Sequence, residues 1–433
     1  MRRKRRLFAL VPLLLIGSVP VGAAPLAHRE VLPNGIRLLV AARPAIPVVV
    51  VRVSVRAGSV LDPQEAGGLA NLTAELLTRG TTSRTGPELD KAIEFVGGTL
   101  DAEARRDGIT VTLAVLRKDL DLGLDLLADV LLRPTFPEDE LKRKVADIEA
   151  ALKRSEENPE AVGGRALAQL LYPGHPYARP VAGTVESVGT LSREQVIRFH
   201  REHYRPDGAA IAVVGDVTVD LARREIERRL AGWTAPPGSP PAVPMAPSSS
   251  PVREETISRA LTQATVLLGR PAVRQDHPDY FPLMVANYVL GGGSTSRLYT
   301  RVREEAGLAY YVGAGLSPGR YGAADTISLQ TRLDGVSEAV RLVRAEMAKM
   351  GRAPVGEREL ALAKAYLIGS FPLRLDTSAK VAETLIAIEE YDLGLDYPER
   401  FKRAIASVTR ADVERVAARY LDPATYSSVT VGK

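Results

Sequence analysis

Arg303 and Tyr310 are the two residues of this chain whose types and spacing most clearly suggest chemistry. A guanidinium and a phenol are both hydrogen-bond donors, so together they suit a backbone carbonyl or an oxyanion on which negative charge develops. The alternative is structural: Arg303 would be a solvated cation at a helix end, and Tyr310 a half-buried aromatic residue of a strand.

The turn residues around this pair predict the elements that carry it. Glycines 291–293 follow an apolar run and predict the end of one helix, because glycine adopts positive φ without steric cost. Ser294 or Thr295 is predicted to cap a new helix, and Gly307 to end it before a strand that begins at Leu308. The arginine would then lie in the last helical turn, and the tyrosine just past a glycine turn.

This stretch resembles the C-terminal half of the pitrilysin-type metallopeptidases, the inverted zincins that include insulin-degrading enzyme and mitochondrial processing peptidase. Further matches in the same order are the Tyr172–Tyr177 loop, YPGHPY, and the Val213–Asp216 strand, VVGD, so the resemblance covers about residues 28–433. In that family an arginine and a tyrosine with this separation bind the substrate backbone from the domain opposite the zinc. The resemblance therefore implies this role for Arg303 and Tyr310.

The family's metal motif, H-x-x-E-H, is degenerate in this chain. It places two histidines one helical turn apart, with the glutamate as general base. Here Asn71 and Glu75 occupy the histidine positions and Ala74 occupies the glutamate position, although the flanking residues match. The downstream acidic ligand of the family corresponds to Glu149.

These replacements argue against hydrolysis by this chain alone. Ala74 cannot accept a proton from water, so the general base is missing. An amide and two carboxylates are poor ligands for Zn²⁺, and we expect no metal or other cofactor in this chain. A hard cation near Glu75 and Glu149 is the less favoured alternative. The remaining candidate ligands are scattered histidines with a predicted packing or surface role, namely His28, His175, His200, His203 and His277.

Length and composition indicate a multidomain globular protein. The chain has 433 residues, 45% of them hydrophobic and 25% charged, which predicts two or more domains with substantial cores. The net charge of +5 comes from interleaved acids and bases, so we expect no nucleic-acid partner. The sequence contains no cysteine, which excludes disulfides and thiolate chemistry.

Residues 1–23 are predicted to be a signal peptide. Five basic residues precede a short apolar run, and small residues up to Ala23 offer a cleavage site. We therefore expect export to a bacterial periplasm and no stable membrane span after cleavage. The alternative is an uncleaved N-terminal segment that tethers the protein to the membrane.

The rest of the chain divides into two similar parts. Residues 235–251, rich in proline and serine, predict an extended linker between a 24–234 domain with the degenerate zinc motif and a 252–433 domain with the Arg/Tyr pair. The order of predicted strands and helices repeats, which favours an α+β fold made of two homologous domains, each an antiparallel sheet with helices. The resemblance implies that such domains form half of a clamshell.

The resulting hypothesis is a non-zinc subunit of a heterodimeric periplasmic metallopeptidase. Its partner would be a zinc-bearing subunit of the same family, and its substrate an extended peptide bound by β-augmentation. The first alternative is a stand-alone pseudopeptidase that binds peptides or serves as a scaffold. A weaker alternative is an enzyme that acts alone with a metal other than zinc.

Overall fold

A computed structural model describes residues 25–432, which form two α+β halves. The strands are β1 (His28–Val31), β2 (Arg37–Ala42), β3 (Val48–Val55), β4 (Thr99–Ala104), β5 (Ile109–Leu116), β6 (Ala210–Gly215), β7 (Glu254–Ile257), β8 (Gln263–Ala272), β9 (Ala309–Ser317), β10 (Ala323–Arg332) and β11 (Ser427–Val431). The helices are α1 (Leu69–Leu76), α2 (Gly86–Phe95), α3 (Leu120–Leu132), α4 (Glu138–Ser155), α5 (Pro159–Leu171), α6 (Val185–Val188), α7 (Arg193–His203), α8 (Val219–Leu230), α9 (Tyr280–Gly291), α10 (Val336–Met350), α11 (Glu357–Ser370), α12 (Ser378–Glu390), α13 (Tyr397–Ser407) and α14 (Arg410–Tyr420).

The two sheets have matching topologies. The first has the strand order β1-β2-β6-β3-β5-β4 and the second the order β7-β11-β8-β10-β9. Apart from the additional strand β1, the order is the same, and β4 and β9 are the corresponding edge strands. The predicted α+β class and the duplication are confirmed.

Each sheet also contains one parallel pair, which the sequence analysis did not predict. Strand β6 lies parallel to β2, and β11 lies parallel to β7. In both halves this late strand returns to the sheet after several helices, and a parallel neighbour requires such a long connection. The remaining pairs are antiparallel.

The halves exchange helices. Helix α5 of the first half packs on β8 and β11 of the second sheet, and α12 of the second half packs on β6 and β3 of the first. The contact around α5 is close, since a β-carbon on Gly163 would lie 2.8 Å from Leu267 Cδ1. Two buried apolar clusters therefore consist of residues from both halves, and the chain packs as one unit.

No helix or strand lies between Leu230 and Glu254, but this connection is held against both halves. The Pro244 carbonyl oxygen lies 3.0 Å from His175 Nε2, and the Ala246 amide donates to the Tyr321 carbonyl at 2.7 Å. The predicted signal peptide, residues 1–23, lies outside the described residues. Among residues 25–432, no helix combines the length and apolarity that a membrane crossing requires.

Candidate functional site

Arg303 lies in a π-helical turn. The helix begins at Arg297, and the Tyr299 amide donates to Ser296 Oγ at 3.4 Å, so the predicted cap at Ser294 or Thr295 is wrong. The glycine turn extends further than expected before the chain becomes helical. The helix widens into a π-helical segment over Tyr299–Glu305 and ends before Gly307, whose φ is +62°. Turns of this kind are rare and occur frequently at functional sites.

Tyr310 is the extra residue of a β-bulge at the start of β9. Tyr311 lies opposite Gln330 of β10, but Ala309 lies opposite Thr331, so Tyr310 has no partner across the strand pair. Bulges of this kind redirect side chains. The Tyr310 side chain is 76% exposed and that of Tyr311 53%, although both follow the buried Ala309.

The two irregular elements bring the predicted pair together. The Cζ atom of Arg303 lies 5.8 Å from the ring centroid of Tyr310 and 4.7 Å from that of Tyr299. No carboxylate among residues 25–432 lies within ion-pair distance of the Arg303 guanidinium. Both donors are exposed side by side at a free strand edge, an arrangement that can bind a backbone carbonyl. Their role in substrate binding stays a prediction.

The degenerate metal motif lies on α1. Ala74 is completely buried, whereas Asn71 and Glu75 are partly exposed. The Nζ atom of Lys144, on α4, lies 2.8 Å from Glu75 Oε2. A carboxylate in a former ligand position is therefore already paired with an ammonium group of the same chain.

Glu149 does not join Glu75 in a ligand cluster. A β-carbon on Gly189 would lie 2.9 Å from Glu149 Oε1, so this carboxylate contacts the backbone after α6, and Lys153 Nζ lies 3.9 Å away. Within residues 25–432, no three His, Asp or Glu side chains are grouped in a way that could hold a metal ion. With Ala74 in place of the base and Lys144 beside Glu75, the residues present do not fit a catalytic zinc ion.

Asp62 holds the start of α1 and was not among the residues predicted from the sequence. Its carboxylate accepts hydrogen bonds from the amides of Gly68 (2.9 Å) and Ala70 (2.8 Å). Burial raises the pKa of this carboxyl to about 7, although the hydrogen bonds from the two backbone amides lower it. An acidic residue shortly before a glycine pair and a helix was the available signal.

Two of the histidines have packing roles. His200 is partly buried, its Nε2 lies 3.0 Å from the Leu131 carbonyl oxygen, and desolvation of the ring lowers its pKa to about 4. His175 Nδ1 accepts the Tyr177 amide at 3.1 Å, which orders the YPGHPY loop. Tyr177 in turn donates to Asp107 Oδ1 at 2.5 Å. These contacts support the packing interpretation of the two residues.

The duplicated α+β fold, the helix α1 with its altered motif and the exposed arginine–tyrosine pair define a peptidase-like protein that lacks the complete catalytic metal site. A family model described as Insulinase (Peptidase family M16) matches residues 37–185, and one described as Peptidase M16 inactive domain matches residues 190–367. The chain belongs to peptidase family M16, and the resemblance to the insulin-degrading enzyme family is confirmed.

Related proteins are named as zinc proteases. An uncharacterized zinc protease of Mycobacterium leprae is 31% identical over 365 residues, which cover 81% of this chain and 79% of that protein. One of Streptomyces coelicolor is 28% identical over 401 residues, which cover 90% of this chain and 86% of that protein.

Solved structures support the same fold. A peptidase M16 inactive domain from Pseudomonas fluorescens superposes with a TM-score of 0.88 at 27% identity, covering 94% of this chain and 97% of that one. A protease from Helicobacter pylori also gives a TM-score of 0.88, at 18% identity, covering 94% of this chain and 100% of that one, and supports the fold alone.

Proposed function

We propose that this chain is the non-zinc subunit of a heterodimeric metallopeptidase. A zinc-bearing M16 partner supplies the metal and the general base. This chain supplies Arg303 and Tyr310, which donate hydrogen bonds to the substrate carbonyl next to the bond that is cleaved. Donors placed where negative charge develops stabilise the transition state.

One observation carries the proposal: Arg303 is exposed beside Tyr310 without a carboxylate partner among the described residues, whereas Glu75 is paired with Lys144. Unpaired donors beside a strand edge suit a ligand that has acceptors of its own. A chain with such donors but without a base depends on a second protein for hydrolysis.

The edge strand β9 suits an extended peptide. It pairs with β10 on one side only and ends its sheet, and Tyr310 and Arg303 lie at its start. A peptide added along this free edge would form main-chain hydrogen bonds there. One of its carbonyls would then lie near the guanidinium and the phenol.

The second candidate is a stand-alone pseudopeptidase that binds peptides or serves as a scaffold. The Glu75–Lys144 pair favours it as much as the heterodimer, because either protein would lack a metal in this half. The two differ in whether a zinc-bearing relative accompanies the chain.

Isolation of the tagged chain from its native host tests this difference. We expect a second M16 protein with an intact H-x-x-E-H motif to co-purify, about one zinc per heterodimer, and chelator-sensitive peptidase activity. Recovery of the chain without such a protein, without zinc and without activity would favour the scaffold.

We also place this function in the periplasm, because residues 1–23 have the pattern of a cleavable signal. Mass spectrometry of the mature protein should find an N-terminus close to Ala24 in the periplasmic fraction. An intact Met1 in the membrane fraction would indicate the tethered alternative.

A further inference from the structure

Three arginines of one short helical segment have different partners. Arg297 Nε and Nη2 each lie 2.9 Å from the Glu359 carboxylate, and Arg301 Nη1 lies 2.5 Å from Glu305 Oε2. Arg303 lies over aromatic rings instead, and Tyr299 is the nearer of the two at 4.7 Å. Among the described residues, Arg303 is thus the arginine of this segment that an aromatic ring holds in place of a carboxylate.

The type of partner determines what the guanidinium can still bind. Its five N–H donors point outward in the plane of the group, and a carboxylate partner takes two of them. A ring attracts the cation through its face and leaves the donors in the plane free. A stacked arginine is therefore held in place and still able to bind a ligand.

We propose that Tyr299 is a positioning residue for Arg303. Its half-buried ring holds the guanidinium next to the Tyr310 ring, so that the guanidinium and the phenol reach the same substrate carbonyl. The catalytic consequence rests on the proposed function of Arg303 and Tyr310, but the stack itself does not. A long arginine side chain without such a support would sample many rotamers and present its donors less often.

The stack can be tested on the chain alone. In ¹⁵N-arginine-labelled protein, the Arg303 Nε–H signal, assigned by its loss in Arg303→Lys, should be shifted upfield because the proton lies over a ring. Tyr299→Leu keeps an apolar side chain without a π face and should abolish most of this shift, whereas Tyr299→Phe should retain it. Tyr366→Leu is the matched control and should leave the Arg303 signal unchanged. Tyr366 stacks on Tyr288, with ring centroids 4.7 Å apart, and not on Arg303. An unchanged Arg303 signal in Tyr299→Leu would overturn the inference.

The reconstituted heterodimer tests the consequence. We expect Tyr299→Leu to lower kcat/KM about tenfold, less than Arg303→Ala, and Tyr299→Phe to restore it to within about twofold of wild type. If Tyr299→Leu has wild-type kinetics while Arg303→Ala has a strongly reduced kcat/KM, the positioning role is overturned and the proposed function remains intact. Wild-type kinetics in both Arg303→Ala and Tyr310→Phe would overturn the proposed function and the catalytic role of Tyr299 with it, while the signal of the isolated chain would still report the stack.

Discussion

The two halves share one topology, but the cation near the candidate site of each half has a different kind of partner. In the first half, the ammonium of Lys144 lies 2.8 Å from Glu75, in the helix that carries the family's metal motif. In the second half, the guanidinium of Arg303 lies over the Tyr299 and Tyr310 rings, and no carboxylate among residues 25–432 pairs with it. The first site is closed by an internal ion pair, and the second is open to a ligand.

This difference concerns the polar groups that each half of the duplicated fold leaves available to a ligand. In the first site the Glu75 carboxylate is already paired with Lys144, so this group has less to offer a ligand. In the second site, two donors have no hydrogen-bond partner within the described part of the chain and lie at a strand edge, where a peptide can be added. Under the proposed function, one half of the duplicated fold binds the substrate while the other contributes structure.

The largest effect that we expect comes from the open site. In a heterodimer with the zinc-bearing partner, Tyr310→Phe removes one hydroxyl donor and keeps the ring. Loss of a transition-state contact lowers kcat and kcat/KM together, and we expect a fall of about a hundredfold or more. Steady-state kinetics on complexes whose assembly is verified by size exclusion measure it.

Tyr311→Phe is the matched control for this substitution. Tyr311 is the next residue of β9 and also exposed, but it lies opposite Gln330 in the regular register. We expect its kinetics to stay within about twofold of wild type. Equal effects of both substitutions, or none from Tyr310→Phe, would remove the distinction between the open site and an ordinary strand.

Restoring the zinc motif tests whether the charge of Lys144 hinders metal binding in the first half. The triple variant Asn71→His/Ala74→Glu/Glu75→His restores the motif but leaves the Lys144 ammonium beside it. Because this cation repels Zn²⁺ at short range, addition of Lys144→Ala should tighten zinc binding by roughly thirtyfold or more.

Calorimetric titration of zinc into both variants measures this difference, with the wild-type chain as the baseline. Equal zinc affinities with and without Lys144 would show that its charge does not close the site.

A third prediction concerns the pH dependence of the closed half. Burial raises the pKa of Asp62 to about 7 from a usual value of 3.8. Below about pH 4 this carboxyl is protonated in both states, so its contribution to stability is fully present. As the pH rises towards 7, the unfolded chain releases the proton while the native chain retains it, and this contribution is lost.

Asp62→Asn cannot titrate and provides the comparison. The melting temperature of wild type relative to that of Asp62→Asn should fall by roughly 1–2 °C between about pH 5 and pH 8. Thermal melts in buffers of constant ionic strength measure it. A difference that does not vary with pH would mean that Asp62 titrates normally in the folded protein.

The proximity of Arg303 and Tyr310 could be predicted from the sequence, whereas the irregular backbone around them could not. Glycines mark the turns on both sides of Arg303, so its proximity to Tyr310 follows from local chain geometry. The π-helical turn and the bulge at Tyr310 have no comparable signature, because both depend on pairing with β10 and on packing. The Lys144–Glu75 pair joins residues 69 positions apart, which no local pattern reveals.

Helix α5 shows the same limit for the fold. Gly163 and Gly164 lie in its middle, where helix propensity disfavours them. The missing side chain of Gly163 permits close packing on Leu267 of the other half, so tertiary contact outweighs propensity. The exchange of α5 and α12 between halves was therefore not predictable from either half alone.

The smallest effect that we expect concerns the strength of the internal ion pair. Lys144 is 21% exposed and Glu75 40%, and a pair of this kind contributes less than about 1 kcal/mol, because water screens both charges. Lys144→Met keeps most of the apolar stem and removes the charge, so the free energy of unfolding should fall by no more than this amount. The Lys153 side chain is 67% exposed, and its Nζ lies 3.9 Å from Glu149, so Lys153→Met should be neutral within error. A double-mutant cycle with Glu75→Gln isolates the coupling, which should be a few tenths of a kcal/mol and should shrink in high salt. Strictly additive effects would show that Lys144 and Glu75 do not stabilise each other, and the closure of the first site would then have to come from Ala74 and the packing around α1.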